Sequence, residues 1–301
     1  MKAWMVIAAA VSAVALLATP AAAQEPPRKL RIMSWNLEHL AEKDGQGCRP
    51  RTEADYAAMR AFVAAVDPDI VAFQEVESLA AAARVFPPET YILALSFRPE
   101  SRRSEPCGGL PGQTIRRQDV GFAIRRGLPA SRNSDIQQIA GGDPDLRWGV
   151  DVSIQGAPAL RLLNLHLKSG CPAGTDGRAC EVLLSQTKVV ERWLDIRSEA
   201  GEAVVILGDF NRRLLVKGDV VRRSLDDGAP AAASLTFTAG EAKPACDPEH
   251  ESFIDHILLN APAATAWTAG DFREWTWGEG ARLSDHCPIT VDLAWTPPAP
   301  R

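Results

Sequence analysis

Short apolar runs rich in β-branched residues recur along the chain at 30–35, 70–74, 120–124, 150–154, 160–167, 203–207, 253–259 and 288–293. Their lengths predict strands. Between them, two segments carry a helical period. Residues 52–66 open with an N-cap candidate, Thr52, and place Tyr56, Met59, Phe62, Val63 and Val66 on one face. Residues 181–198 repeat the pattern with Val182, Leu183, Val189, Val190, Trp193 and Leu194. Many strands with helices between them predict one layered α+β domain over residues 28–295, uninterrupted by a repeat, a long linker or a low-complexity tract. Residues 99–118 are polar and rich in Gly and Pro, which predicts a surface excursion.

The first 23 residues follow a different pattern. Lys2 gives a positive start, residues 5–18 are apolar but for Ser12, and Ala21, Ala22 and Ala23 supply small residues before Gln24. This layout predicts a secretory signal peptide over 1–23, cleaved after Ala23. A membrane anchor would need about 20 apolar residues to cross a bilayer, more than this run supplies. No later stretch is long and apolar enough to span a membrane, so the expected mature chain is a secreted or periplasmic monomer without stable membrane insertion.

Charge and cysteines narrow the picture further. The chain has 33 basic and 38 acidic side chains, a net charge of −5, which excludes a general polyanion-coating protein. Positive charge is local: Arg116-Arg117, Arg125-Arg126 and Arg212-Arg213 are candidate patches, each also readable as an ordinary solvated edge. All six cysteines fall after the leader, and an even number in an exported chain points to disulfides. Cys171 and Cys180 enclose eight residues rich in Gly, Pro and Asp, the easiest loop to close. Cys48, Cys107, Cys246 and Cys287 allow three pairings, and Cys287, before Pro288 and an apolar run, also reads as a buried free thiol. There is no CxxC pair, which argues against a zinc ribbon.

Polar residues punctuate the strand ends in a repeated way. Asn36 and Glu38 close the first strand, Glu75 the second, and His166, Lys168 and Ser169 the fifth. Asp209 and Asn211 follow the sixth, Asp255 and His256 lie in the seventh, and Asp285 and His286 open the last. Each alone reads as a cap or turn residue. Six such groups at strand ends predict one shared site at a sheet edge. Hydrolysing a phosphodiester needs this mixture: a hard cation on the phosphate oxygens, a deprotonated water in line, and help for the leaving oxygen. Carboxylate and amide oxygens suit Mg²⁺, and histidine moves protons near neutral pH.

The order SWNLE, FQEVE, LHLKSG, LGDFN, IDHIL, SDHCP resembles the endonuclease/exonuclease/phosphatase superfamily, which includes pancreatic-type deoxyribonucleases, apurinic endonucleases, inositol-polyphosphate phosphatases and neutral sphingomyelinases. The resemblance covers nearly the whole chain after the leader. It implies a four-layer α/β/β/α sandwich of two mixed β-sheets and Mg²⁺ as cofactor, with Mn²⁺ able to substitute. It makes Glu75 the principal metal ligand, beside Asn36, Glu38 and Asp285. His286 paired with Asp255 becomes the base or the phosphate-polarising group, and Asp209 and Asn211 position water and phosphate. His166 would assist the leaving oxygen or neutralise the phosphate. Lys168, Arg212 and Arg213 are expected on the substrate phosphate. His39, His250 and His256 are not carried over, and His256 should point to the opposite face from Asp255. Trp275 and Trp277, two apart, read as one face of a hairpin.

These readings converge on an exported phosphodiesterase, first of all a nuclease acting on DNA or RNA. The rival is a sphingomyelinase-like or other lipid or small-molecule phosphodiesterase with the same core motifs. A long apolar hairpin for membrane docking is not visible, which weakens the rival. An interaction module that kept the fold and lost the chemistry is weaker still, because all six motifs are intact.

Overall fold

Most of the predicted strands are apolar on both faces, which requires a covering layer on each side. The computed structural model describes residue 1 and residues 26–100, 105–278 and 280–299. Apart from Met1, the leader expected over 1–23 lies outside the described residues. The elements are β1 (Arg28–Leu40), α1 (Glu53–Val66), β2 (Ile70–Val76), α2 (Leu79–Ala83), β3 (Tyr91–Leu95), β4 (Asp119–Arg125), β5 (Ala130–Arg132) and β6 (Val150–Ile154). They continue with β7 (Leu160–His166), α3 (Arg178–Glu199), β8 (Ala203–Asp209), α4 (Val220–Leu225), β9 (Leu235–Phe237), β10 (Asp255–Asn260), α5 (Ala261–Ala264), β11 (Arg273–Glu274) and β12 (Ile289–Trp295).

The strands form two six-stranded sheets, ordered β11-β12-β1-β2-β4-β3 and β5-β6-β7-β8-β10-β9. Both are mixed: β1–β2 and β7–β8 are parallel, and the other neighbours are antiparallel. Alternation then builds three apolar cores. Leu30 and Ile32 of β1, Val120 and Phe122 of β4, Leu160 and Leu162 of β7 and Val205 and Leu207 of β8 meet between the sheets. Met33, Trp35 and Phe73 pack outward against Tyr56, Met59 and Val63 of α1. Leu163, Leu165 and Ile206 pack outward against Leu183, Val190 and Leu194 of α3. Three cores separate four layers, the expected α/β/β/α sandwich.

Local chemistry sets the helix limits. The Thr52 hydroxyl accepts from the Asp55 N–H while the Asp55 carboxylate accepts from the Thr52 N–H, a reciprocal capping box at the start of α1. Asp67, left-handed at φ 54°, ends the helix. Trp275 donates to the Thr290 hydroxyl at 2.9 Å, and Trp277 packs near Trp35 and Phe62, so both indoles are packed beside β12 and α1.

Three disulfides close the loops: Cys48–Cys107, Cys171–Cys180 and Cys246–Cys287. The expected Cys171–Cys180 pair is present. The reading of Cys287 as a free thiol is corrected, since Cys246 from the loop after β9 reaches it. Among the described residues no helix is long and apolar enough to cross a membrane.

One polar clamp joins the sheets inside the apolar core. Asn164 of β7 donates to the backbone carbonyls of Phe73 (2.9 Å) and Gly121 (2.6 Å), and accepts from Gln74 at 2.8 Å. All of these groups are buried. Asn164→Leu takes the amide donor from two buried carbonyls and removes one acceptor of the Gln74 amide, which keeps the Ala72 carbonyl, so it should cost about 2–4 kcal/mol of unfolding free energy. Urea unfolding followed by tryptophan fluorescence measures the loss.

Candidate active site

The strand ends inherit their direction from the alternation. On β1 the inter-sheet face continues past Leu30 and Ile32 to Asn36, and on β7 it continues past Leu162 to His166. On β8 it continues past Val205 and Leu207 to Asp209, and on β10 it runs from Leu259 and Ile257 to Asp255. Apolar residues fill this face until the last turns of chain, where polar ones replace them. Asp209 and His166 are paired in the parallel register of β7 and β8, and Asp209 faces Asp255 across β8 and β10.

Glu75 departs from the alternation. Val71 and Phe73 of β2 face α1, so an unbroken strand would send Glu75 the same way. The pairing of β2 with β4 shifts between Phe73 and Val76, and Glu75 takes a left-handed φ of 61°. That bulge re-aims its carboxylate at the site. A second shift lies between Asn36 and Leu40 of β1, where Glu38 and His39 have φ of 46° and 53°. Asn211, at φ 51°, follows Asp209. Of five described non-glycine residues with positive φ, four are therefore here, and the fifth, Asp67, is a helix cap. Strain of this kind costs free energy and gathers at functional sites.

The side chains converge. Asn36 Nδ2 donates to Asp209 Oδ2 at 3.0 Å and to Glu75 Oε1 at 3.2 Å, tying the two sheets together. His166 Nε2 lies 3.4 Å from Asp209 Oδ2 and 3.8 Å from Glu75 Oε1. His286 Nδ1 is 2.7 Å from Asp255 Oδ2, and its Nε2 is 3.9 Å from Asp209 and 4.0 Å from Asp285. The Asn211 N–H donates to Asp209 Oδ1 at 2.8 Å. Ser284 accepts from the His286 N–H and donates to the Asn36 carbonyl at 2.7 Å, and Trp35 donates to the His286 carbonyl at 3.0 Å, which fixes the last motif against β1.

Burial sets the proton affinities. It raises Asp209 to about 7, with Asp255 adding to the rise while His286 and the hydrogen bonds from Asn211 and Asn36 oppose it. For His286 burial disfavours the charge, but Asp255 and Asp209 outweigh it and hold the imidazolium well above the usual range. His166 is driven the other way, by burial first and then by the positive fields of Arg147 and His286, so it stays neutral. Burial and Asp285 raise Glu38 against the pull of Arg49 and Arg282.

The oxygen-rich donor set fits a hard divalent cation. Asn36 bridges Glu75 and Asp209, His286 Nε2 lies between Asp209 and Asp285, and the buried Asp255 Oδ1 has no hydrogen-bond partner. Ligand atoms of Asp209, Asp255 and His286 also lie within 4.8 Å of one another. The short Asp255–His286 hydrogen bond makes that group a charge pair.

Several expected residues are placed differently. Asn36 turns its oxygen to the Glu38 N–H at 3.0 Å, so its amide nitrogen addresses the carboxylates. Glu38 turns to the rim, where Arg282 (2.9 Å) and Arg49 (3.4 Å) pair with it. Lys168 is half-buried beside His166, and Arg213 reaches toward Asp247 at 4.0 Å. Arg212 is a correction. Its side chain is 1% exposed, pairs with Asp219 at 2.6 Å and donates to the carbonyls of Cys171 and Gly174, so it bolts the disulfide loop to α4 and has no face for a phosphate. The left-handed turn at Asn211 rotates it inward.

Other residues the motifs did not flag touch the site. His39 Nε2 lies 3.6 Å from Glu75 Oε2, its N–H donates to the same oxygen at 3.1 Å, and Gln118 bonds its Nδ1 at 3.0 Å. Strand alternation from Glu38 puts His39 on the far face; the bulge reverses that. Arg147 donates to the carbonyls of His166 (3.3 Å) and Leu167 (2.7 Å), and the charges of Glu75 and Asp209 act on it. Gln186 of α3 accepts from the Lys168 N–H at 2.8 Å. A lone Arg before β6 and a Gln inside a helix carry no signal in the sequence.

Two mixed sheets with this carboxylate, amide and imidazole cluster at one edge define a metal-dependent phosphodiester hydrolase. The chain belongs to the Endonuclease/Exonuclease/phosphatase family, whose model matches residues 33–286. No curated protein matches it in sequence. Similar solved structures include D. rerio TDP2 complexed with single strand DNA product, at 18% identity and TM-score 0.59, covering 88% of this chain and 98% of that one. The 3'-5' exonuclease NExo from Neisseria meningitidis matches at 17% and 0.59, over 88% and 100%. The human Nocturnin catalytic domain with bound sulfate anion matches at 15% and 0.58, over 92% and 96%. At these identities the likeness is one of fold.

His256 faces away from Asp255, as alternation requires. It sits against Phe210 and hydrogen-bonds the Arg212 carbonyl at 2.8 Å. Burial lowers its pKa to about 4. The unfolded chain takes up this proton near pH 6.5, the folded one only near 4. Its contribution is therefore complete above about 6.5 and is lost as pH falls toward 4, by about 3 kcal/mol in all. Urea unfolding of metal-free protein from pH 7 to 4.5 should show His256→Gln with a shallower decline than the wild type.

Proposed function

We propose that this chain is an exported Mg²⁺-dependent nuclease that hydrolyses DNA, with RNA as the alternative substrate, through in-line attack of water. In this reading 1–23 is its signal peptide, 28–295 its catalytic domain, Mn²⁺ substitutes for Mg²⁺, and the enzyme works as a monomer. Three disulfides support an oxidising location. The observation that carries the chemistry is the meeting of Glu75, Asp209 and His166 with the Asp255–His286 pair.

Glu75 and Asp285 would hold the cation, with Asn36 orienting Glu75 and Glu38 setting the charge at the rim. The cation supplies Lewis-acid charge to the phosphate oxygens. Asp209, poised near neutrality, takes the proton of the attacking water, while the Asn211 N–H fixes its other oxygen. His286, held charged by Asp255, donates from Nε2 to a non-bridging phosphate oxygen as charge accumulates there. The water oxygen bonds to phosphorus as the opposite ester bond breaks. Neutral His166 donates a hydrogen bond to the leaving oxygen, which takes its proton finally from solvent. Lys168, Arg213 and the half-buried Arg147 would supply positive charge to the phosphate.

Glu75→Ala should abolish turnover with the fold intact, and EDTA should do the same to the wild type, with Mg²⁺ or Mn²⁺ restoring it. Full activity in EDTA with bound metal excluded contradicts the assignment. His286→Ala and His166→Ala should each lower kcat on the order of 10²-fold or more, and Asp255→Asn should resemble a milder His286 defect. Assays on plasmid DNA, sphingomyelin and bis-nitrophenyl phosphate decide the substrate. DNA cleavage without sphingomyelin hydrolysis is expected; the reverse would establish the lipid phosphodiesterase instead.

A further inference from the structure

Beside the catalytic edge lies a groove of about 380 Å³ between two chain segments, one holding Pro99 and Glu100, the other Gln137, Gln138, Asp143 and Trp148. We infer that it is a nucleobase subsite, taking the base of a nucleotide that flanks the scissile phosphate. This deepens the nuclease reading and rests on it.

Both walls run directly into the site. Trp148 follows Arg147, whose guanidinium donates to the carbonyls of His166 and Leu167. On the other wall, Arg98 pairs with Asp119 at 2.8 Å, and the preceding residue, Gln118, holds His39 against Glu75. Arg98 also donates to the Pro144 carbonyl at 3.0 Å, so one buried guanidinium braces the two walls. The sheet order places the groove on the β4/β6 flank, while the site sits over β1, β2, β7 and β8. A strand with its phosphate at Asp209 and His286 and its chain running toward that flank would carry its next base toward Trp148.

The lining selects a base. Trp148 is partly exposed in the groove, and an indole face stacks on any nucleobase. Glu100 and Asp143 repel a phosphate but accept from an exocyclic amine, and the Gln137 and Gln138 amides both donate and accept. Adenine, cytosine and guanine carry such an amine; thymine and uracil do not. Carboxylates and amides also make poor company for an acyl chain.

The test uses the full chain with Mg²⁺ on dinucleoside monophosphates, each with a single scissile bond. The comparisons are the same compounds lacking the base on one side, and methyl p-nitrophenyl phosphate, which has none. Trp148→Ala should raise KM on base-bearing substrates about tenfold or more with kcat little changed, and Trp148→Phe should recover most of the loss. Removing the base should cost the wild type a similar factor and cost Trp148→Ala almost nothing. Wild type should prefer an amine-bearing base to thymine, and Asp143→Asn together with Glu100→Gln should reduce that preference. Dinucleotide cleavage with KM unchanged in Trp148→Ala overturns the subsite alone. If wild type hydrolyses the base-free diester but no dinucleotide, the nuclease reading falls and the subsite with it.

Discussion

The Asp209 carboxylate is almost fully withdrawn from water, and the site is arranged around that fact. An isolated buried carboxylate is costly, so the structure must hydrogen-bond it, pair it or leave it protonated. All three are present in part: Asn36 and the Asn211 N–H donate to it, His286 offers charge, and its proton affinity rises to near neutrality. The backbone must also let it in. Gly208 takes φ 133° in close register with β7, and a Cβ there would sit 2.0 Å from the Leu165 carbonyl oxygen. Any side chain at 208 would push β7 and β8 apart and separate His166 from Asp209.

The same alternation that fills the inter-sheet core delivers this chemistry. Asn36, His166, Asp209 and Asp255 lie in phase with the apolar residues behind them, so the core positions them without a dedicated loop. Glu75 and His39 are out of phase and depend on bulges and left-handed backbone. The Asn164 clamp lies just inside, where it bonds the carbonyl of Phe73 two residues before the Glu75 bulge. Packing, polar satisfaction and strain therefore meet in the same few residues, which is where local rules are expected to give way to function.

That division also explains what the sequence showed. Long strands with β-branched runs were legible, as was the capped helix after Thr52, because local pattern and tertiary burial agree there. β3 was not legible: Ile92 is half exposed and the strand exists by pairing with β4. The three-residue β5 and β9 and the two-residue β11 are edges made by their neighbours. At the candidate site, the in-phase motif residues singled out in the sequence are brought together, whereas bulge-dependent His39, which meets Glu75, was not singled out. Arg212 was misread because a cation beside a catalytic motif looks the same in sequence whether it faces substrate or Asp219. Cysteine spacing identified the short Cys171–Cys180 loop, while the long-range pairs needed the fold.

Burial and the neighbouring Asp255 raise the proton affinity of Asp209, and a divalent cation bound beside it would displace that proton. Calorimetric titration with Mg²⁺ at pH 7, in buffers of different ionisation enthalpy, reads this directly. Burial lifts this carboxyl to about 7, so part of the population carries a proton there, and a cation nearby should expel that share as a fractional proton release. The release should disappear in Asp209→Asn. Mg²⁺ binding with no proton release, or release that persists unchanged in Asp209→Asn, would contradict the account.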